Sequence, residues 1–272
     1  MKLEEIARII ENCSPLALQE SWDNSGFQIK LGNPDITRVL VSLEVTDSVI
    51  SEAEEYGTEL IVCHHPMIFT PIRNIDDKSV IGNYICRLIQ SGVSVYATHT
   101  PFDKCDRGNN AYLASKLQLQ HVEPLPGDET GICRMGLTDG DYTVIDFVRH
   151  TADRLSQDIR QYRLTGDGMD RVEKVGICTG AGAEFMEIAY EAGCDLFVTG
   201  DVKYHTAQLA REMGMNVLDI GHYGSEISFT ENMTEQLRRE TGLMVFEAAD
   251  CRNPFTVIEP QNTDVSGSAG GI

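Results

Sequence analysis

Seven histidines occur in 272 residues, and two of them are adjacent. The stretch "IVCHHPMIF" (61–69) sets His64 and His65 at the end of an apolar run that Pro66 stops. Neighbouring side chains on a strand point to opposite faces, so both imidazoles reach one site only where strand gives way to loop. "THTPFD" holds His99 and Asp103, four apart, and "GHYGSE" holds His222 and Glu226, also four apart. Each group lies just past an expected buried strand, where side chains of an open α/β sheet gather around a ligand. Imidazole and carboxylate suit Zn, Mn, Fe or Ni, whereas Mg or Ca favours oxygen alone. His64, His65, His99, Asp103, His222 and Glu226 exceed what one tetrahedral zinc needs. Two ions about 3.5–4 Å apart, bridged by a carboxylate or a water, use the set better. The competing reading is a histidine merely hydrogen-bonded near a strand end, which is the reading for His121 and His150.

The elements that must position these groups follow from periodicity. "MKLEEIARIIENCSP" places Leu3, Ile6, Ile9 and Ile10 on one helical face and ends before Pro15. "ESWDNSGFQI" reads as a polar loop, with Trp22 either packed or bordering a cleft. "RVLVSLEV" reads as a buried strand, followed by a helix capped by Thr46 or Asp47 and closed by Gly57. "TELIVCHH", "KSVIGNYICRLIQSG", "VSVYATH" and "GNNAYLASKLQL" continue as strand, helix, strand and helix. That alternation marks an α/β fold built of βαβ units.

The second half echoes the first. A shift of 136 residues lays Arg38 and Val39 on Lys174 and Val175, Gly57 on Gly193 and Val62 on Val198, without a gap. Two similar βαβ-type lobes, a pseudo-repeat, are therefore expected, although any two βαβ units share Gly and Val positions. Between them, "GICRMGLTDGDYTVIDFVRHTADRLSQDIRQY" reads as strand, turn at Asp139-Gly140, strand and helix. The division is a first α/β lobe over 1–125, connecting strands and helix over 126–170, a second lobe over 171–250 closing against the first, and a C-terminal segment over 251–272. The Ser/Gly-rich end, "NTDVSGSAGGI", is expected to be mobile.

"CTGAGAEF" (178–185) sits between a strand and a helix but has neither GxGxxG nor a Walker lysine; it reads as an anion-binding or simply a tight turn. "VTGDVKYH" offers Asp201 and His205 as secondary candidates, the duller account being Asp201 as a helix cap.

Net charge is -20, which repels polyanions at long range, and no Lys/Arg run supplies a basic patch. Nucleic acid is thus not an expected partner; "DIRQYR" (158–163), the nearest approach to a basic run, reads as the polar face of a helix. The eight cysteines are scattered through mainly apolar runs, as reduced core residues of a cytoplasmic protein are. "MKLEEIARII" is too acidic for a signal peptide, and no apolar stretch approaches about 18 residues, so no membrane insertion is expected.

The motifs "SWDNSGF", "VCHHP", "THTPFD", "FVTGDVKYH" and "DIGHYGSE" resemble those of the GTP cyclohydrolase 1 type 2 homologues, also described as NGG-interacting-factor-three-like proteins. The resemblance spans roughly residues 1–250. It implies a metal cleft between two related α/β lobes holding two divalent ions. In that likeness His65 and Asp103 serve one ion, His64 and His222 the other, and Glu226 bridges, while His99 lines the pocket. It also implies a homohexamer arranged as a trimer of dimers, in compact form given the short 130–170 region. The expected activity is a metal-dependent hydrolase acting on a nucleotide or other small anionic substrate through metal-activated water, with His99 and Glu226 as catalytic groups. The alternative is a non-catalytic, metal-stabilised ring that binds a protein or nucleic-acid partner.

Overall fold

A computed structural model describes residues 1–32 and 35–258. Helix α1 (Leu3–Cys13) buries Leu3, Ile6, Ala7 and Ile10, one stripe of a 3.6-residue repeat. Then come β1 (Gly26–Ile29), β2 (Arg38–Ser42), α2 (Asp47–Tyr56), β3 (Leu60–Cys63), α3 (Val80–Gln90), β4 (Ser94–Ala97), α4 (Thr100–Lys104) and α5 (Asn109–Lys116). Of the two candidate caps for α2, Thr46 serves: its side chain accepts from the Val49 N–H, and Gly57 ends the helix at φ +60°. The chain continues through β5 (Gln120–Pro124), β6 (Arg134–Thr143), α6 (Val144–Leu155), β7 (Arg163–Thr165), β8 (Arg171–Ile177), α7 (Met186–Glu191) and β9 (Leu196–Thr199). It closes with α8 (Tyr204–Met213), β10 (Asn216–Asp219), α9 (His222–Glu226), α10 (Ser228–Thr241) and β11 (Met244–Glu247).

The strands form two mixed sheets, ordered β1-β4-β3-β2-β11 and β5-β6-β8-β9-β10-β7. In the first, β11, β2, β3 and β4 run parallel and β1 pairs antiparallel at the edge. In the second, β8, β9 and β10 run parallel, flanked by antiparallel partners. Both faces of each sheet are covered, which is why the parallel strands are continuous apolar runs. On the first sheet Val39, Val41 and Val62 face α1, Phe102 and Phe229, while Leu40, Ile61 and Val95 face α2 and α3. On the second, Val175, Ile177 and Leu218 pack on Phe147, and Phe197 and Val217 pack on Met186 and Met215.

Several local expectations need correction. Asp139-Gly140 does not turn the chain: β6 runs through it, paired to β8 on both sides with a register shift between Leu137 and Tyr142. The extra residues bulge out of the ladder instead of reversing it. "DIRQYR" is no helix face either; a three-residue turn of helix (Ile159–Gln161) leads into β7. Part of the "ESWDNSGFQI" loop is strand β1. Strand β5 lies in the second sheet and β11 returns to the first. Among the described residues no helix is long and apolar enough to cross a membrane. The Ser/Gly-rich end, 262–272, whose mobility was expected, lies outside the described residues.

Candidate metal centre

Because β2, β3 and β4 are parallel, the loops that follow them leave from one edge of the first sheet. Strands β8, β9 and β10 do the same in the second. The six histidines and acids read from the sequence lie there: His64, His65 and His99 in the loops, Asp103 in α4, and His222 and Glu226 in α9. His64 and His65 follow β3 immediately, where the ladder bends: the N–H groups of both residues donate to the Leu43 carbonyl at 3.2 and 3.0 Å. That bend breaks the strand alternation and leaves the two rings on one side, with centroids 4.9 Å apart.

Each imidazole is tethered through Nδ1. His64 Nδ1 donates to the Thr98 carbonyl at 3.0 Å. His65 Nδ1 contacts Glu44 Oε1 at 3.3 Å, His222 Nδ1 contacts Asp201 Oδ2 at 2.8 Å, and His99 Nδ1 contacts Asp23 Oδ1 at 2.9 Å. An oxygen acceptor on Nδ1 makes that nitrogen the donor, so Nε2 is the atom left for the cluster. Carboxylates and carbonyls behind histidine ligands are the usual means of fixing a metal-binding tautomer.

Glu226 lies at the centre, buried to 3% exposure. Helix α9 brings it onto the face of His222, four residues earlier. Its Oε1 is 3.6 Å from His64 Nε2, and its Oε2 is 3.0 Å from both His65 Nε2 and His222 Nε2. Asp103 Oδ1 stands 3.6 Å from His64 Nε2 on the far side. Oε2 is buried without an aligned hydrogen-bond donor, although two nitrogens stand at ion-pair distance. His65 Nε2 and His222 Nε2 themselves approach to 3.3 Å. Lone pairs converging on a buried carboxylate in this way fit a cation.

The donor atoms fall into three overlapping groups: His64, Asp103 and Glu226; His65, His222 and Glu226; and His64, His65 and His99. Within each, the atoms lie within 4.8 Å of one another. In these contacts His64 lies beside Asp103 and Glu226, and His65 beside His222 and Glu226. The reason is geometric: His64 is fully buried beneath Asp103, whereas His65 points outward across Glu226.

Without a cation, protons take its place. Burial alone would lower the pKa of His65, but contacts with Glu226 and Glu44 outweigh it and raise it to about 10. His222 follows the same logic, burial opposed by Glu226 and Asp201, and rises to about 9. Glu226 is held well below the usual carboxylate range; burial opposes this, and His64, His222 and His65 prevail. Asp103 goes the other way, raised by burial and by the Glu226 charge against the pull of His64. A divalent ion binding at pH 7.5 must therefore displace protons from His65 and His222. Calorimetric titration in buffers of differing ionisation enthalpy is expected to read about two protons released per chain, since both imidazoles are protonated at that pH. In the metal-free protein these raised values stabilise the fold fully below about pH 6.5, and that contribution is lost as pH rises through 9 to 10.

Sequence reasoning missed four supporting residues. Asp23, in the tryptophan loop, accepts from Thr100 Oγ1 at 2.6 Å and Ser25 Oγ at 2.8 Å besides holding His99. Burial opposes its ionisation, but these hydrogen bonds and His99 lower its pKa far below the ordinary value. Asn109 Nδ2 donates to Asp103 Oδ1 at 2.9 Å, and Asn110 Nδ2 to the Asp103 carbonyl at 3.2 Å. Glu44 braces His65. The HxxxD and HxxxE spacing was visible in the sequence; these partners come from other elements and carry no local pattern. Asp201 caps no helix: it sits at φ +55° and holds His222, while His205 is exposed on α8. The "CTGAGAEF" turn lies against Glu226, with the Gly180 N–H donating to Ser225 Oγ at 2.8 Å. Its two N–H groups nearest the site are thus already used, the other by Asn110. His150 donates to the Leu117 carbonyl, as its bland reading required.

A two-sheet α/β protein with a buried His/Asp/Glu cluster able to hold metal ions is the class that fold and site define. The family model for Duf34/NIF3 (NGG1p interacting factor 3) matches residues 1–254, and the chain belongs to that family. A GTP cyclohydrolase 1 type 2 homolog of Clostridium perfringens is 34% identical over 266 residues, covering 95% of this chain and 100% of the relative. The GTP cyclohydrolase 1 type 2 of Helicobacter pylori strain J99 is 31% identical, covering 94% and 99%. Among solved structures, Staphylococcus aureus hypothetical protein SA1388 aligns with a TM-score of 0.86 at 25% identity, over 95% of this chain and 99% of that one.

Proposed function

We propose that the chain holds two divalent cations and hydrolyses a small anionic substrate, a nucleotide being the first class to try given the names of its relatives. The observation that carries this is the single buried carboxylate of Glu226, which presents one oxygen to His64 and Asp103 and the other to His65 and His222. In this reading His64, Asp103 and Glu226 hold one ion, and His65, His222 and Glu226 the other. Zn, Mn, Fe or Ni fits three imidazoles and two carboxylates. When bound, such ions polarise an anionic oxygen and lower the pKa of a water to near neutrality.

The protein's own groups do the rest. His99, with Nδ1 held by Asp23, presents Nε2 beside the cluster and moves a proton to or from the reacting group. A cavity of about 1470 Å³ opens over the site. Trp22 and Phe69 on its wall offer flat apolar surface, and Arg160 and Arg163, paired with Asp158 and Asp219, lie on the same wall. The cleft lies between loops of the two sheets, in keeping with two related lobes. The matching parallel trios β2-β3-β4 and β8-β9-β10 support that pseudo-repeat, although β5, β6 and β7 sit in the second sheet and β11 in the first, so the lobes do not follow the boundaries at 125, 170 and 250 strand for strand. A cytoplasmic trimer-of-dimers hexamer belongs to the same proposal; exposed Ile72, Ile75 and Val80 supply apolar contact surface.

Metal analysis of the purified, metal-repleted protein, followed by a turnover screen over nucleotides, phosphoesters and cyclic amides, tests the proposal. No bound metal, or metal with no turnover on any class, would count against it. Asp23→Asn separates proton transfer from metal holding. It removes the negative charge behind His99 and turns one of the two acceptor oxygens that His99, Thr100 and Ser25 share into a donor, so turnover is expected to fall about 10- to 100-fold with metal content unchanged. A drop in metal content would instead make Asp23 a structural support of the cluster.

A further inference from the structure

A thiol pair outside the cluster links two elements that the proposed hydrolysis does not use. Cys13 closes α1 and is half-buried; Cys105 caps α4 and is buried. They are 92 positions apart in sequence, yet their sulfurs lie 3.8 Å from each other. Nothing packs between them, and a disulfide needs the sulfurs to approach to about 2.05 Å. The Arg107 guanidinium lies beside the Cys13 sulfur and pairs with Glu240 at 3.1 Å. The hydrogen bond from Cys105, opposed by burial and helped by Arg107, holds the Cys13 thiol below its ordinary range. Electropositive, partly exposed thiols with a second thiol at hand are the ones that peroxides oxidise selectively.

We propose that Cys13 and Cys105 form a peroxide-oxidisable dithiol that closes into a reversible disulfide between α1 and the end of α4. The inference stands independently of the proposed hydrolysis. Cys13 sulfur attacks one oxygen of hydrogen peroxide; the O–O bond breaks, and one water leaves with the added proton. Cys13 is then a sulfenic acid, oxidised by two electrons. Cys105 sulfur attacks it, losing its own proton; the S–O bond breaks, the S–S bond forms and a second water leaves. One peroxide is reduced to two waters, and a dithiol reductant reverses the bridge. Cys133 and Cys178, the other close pair, are both buried and lack that access. The bridge would fasten α1 to the segment that continues into Asn109 and Asn110, which brace Asp103.

The full-length protein, treated with hydrogen peroxide and then unfolded for thiol titration, is expected to fall from eight thiols to six, since one bridge consumes two. Peptide mapping should recover Cys13 joined to Cys105, and dithiothreitol should restore eight. In Cys105→Ser, dimedone should label Cys13, which it does not in the wild type; in Cys13→Ser, Cys105 should stay reduced. Eight surviving thiols, Cys13 bridged to another cysteine, or Cys105 oxidised without Cys13 would each overturn the proposal.

Discussion

Glu226→Gln is expected to strip both cations at once, lowering divalent-metal affinity by at least about 100-fold, because loss of a mere supporting partner already costs 10- to 100-fold. The substitution keeps volume but removes the one charge that both donor groups share. It also places a neutral amide N–H₂, a donor with no lone pair for a metal, among three Nε2 atoms. In the metal-free variant His65 and His222 lose the larger of the contacts that raise them and keep only Glu44 and Asp201, so both values fall back toward the ordinary imidazole range. Because Glu226 is buried to 3%, the change is felt without relief from solvent. Metal stoichiometry by mass spectrometry after dialysis against a buffered metal solution gives the answer, with circular dichroism as the control on folding. Retention of both ions would remove Glu226 from the proposed bridge. The two functional readings part at Glu226→Ala: a hydrolase loses turnover and keeps its assembly, whereas a purely structural metal ring loses its assembly.

Gly180→Ala is the second change with a large expected effect. Gly180 sits at φ +68°, a conformation that costs an L side chain about 1–2 kcal/mol. A methyl there would stand 2.3 Å from Glu226 Oε1 and 3.5 Å from His222 Nε2. Neither neighbour can retreat cheaply, because the Gly180 N–H is bound to Ser225 and Glu226 is packed beneath. Overpacking of a buried site adds about 1–3 kcal/mol. Denaturant unfolding is therefore expected to show a loss of about 2–5 kcal/mol from these two terms together. Metal affinity should fall as Glu226 is displaced. An unchanged midpoint and full metal content would mean that the turn moves freely, and that its contact with the carboxylate is incidental. The same contact is by itself a steric reason for glycine at that position.

The donor residues were legible because chemistry and local spacing coincide in them. His-His at a strand end, HxxxD and HxxxE each sit on one short segment, and the apolar runs before them mark β3, β4 and β10. The caps of α2 were legible for the same reason, since Thr46 and Gly57 act within a turn of themselves. Asp139-Gly140 misled because a dipeptide that turns a hairpin also fits a bulge, and only the partner strand β8 decides which. Strands β1 and β11 were missed because they are short edge elements whose partners β4 and β2 lie far along the chain, and β5 because it is an exposed edge strand with no apolar alternation.

By itself the sequence determined the inventory: an acidic α/β chain whose strand ends carry imidazoles and carboxylates suited to transition metals. Tertiary structure decided which side chains touch, His64 beside Asp103 and His65 beside His222 with Glu226 between them, and it supplied Asp23, Glu44, Asp201 and Asn109 as hydrogen-bond partners. The physical reason is range. Residue type and short-range period act within a few positions, whereas which nitrogen faces which oxygen depends on how two separate sheets pack, and that is set by the whole core.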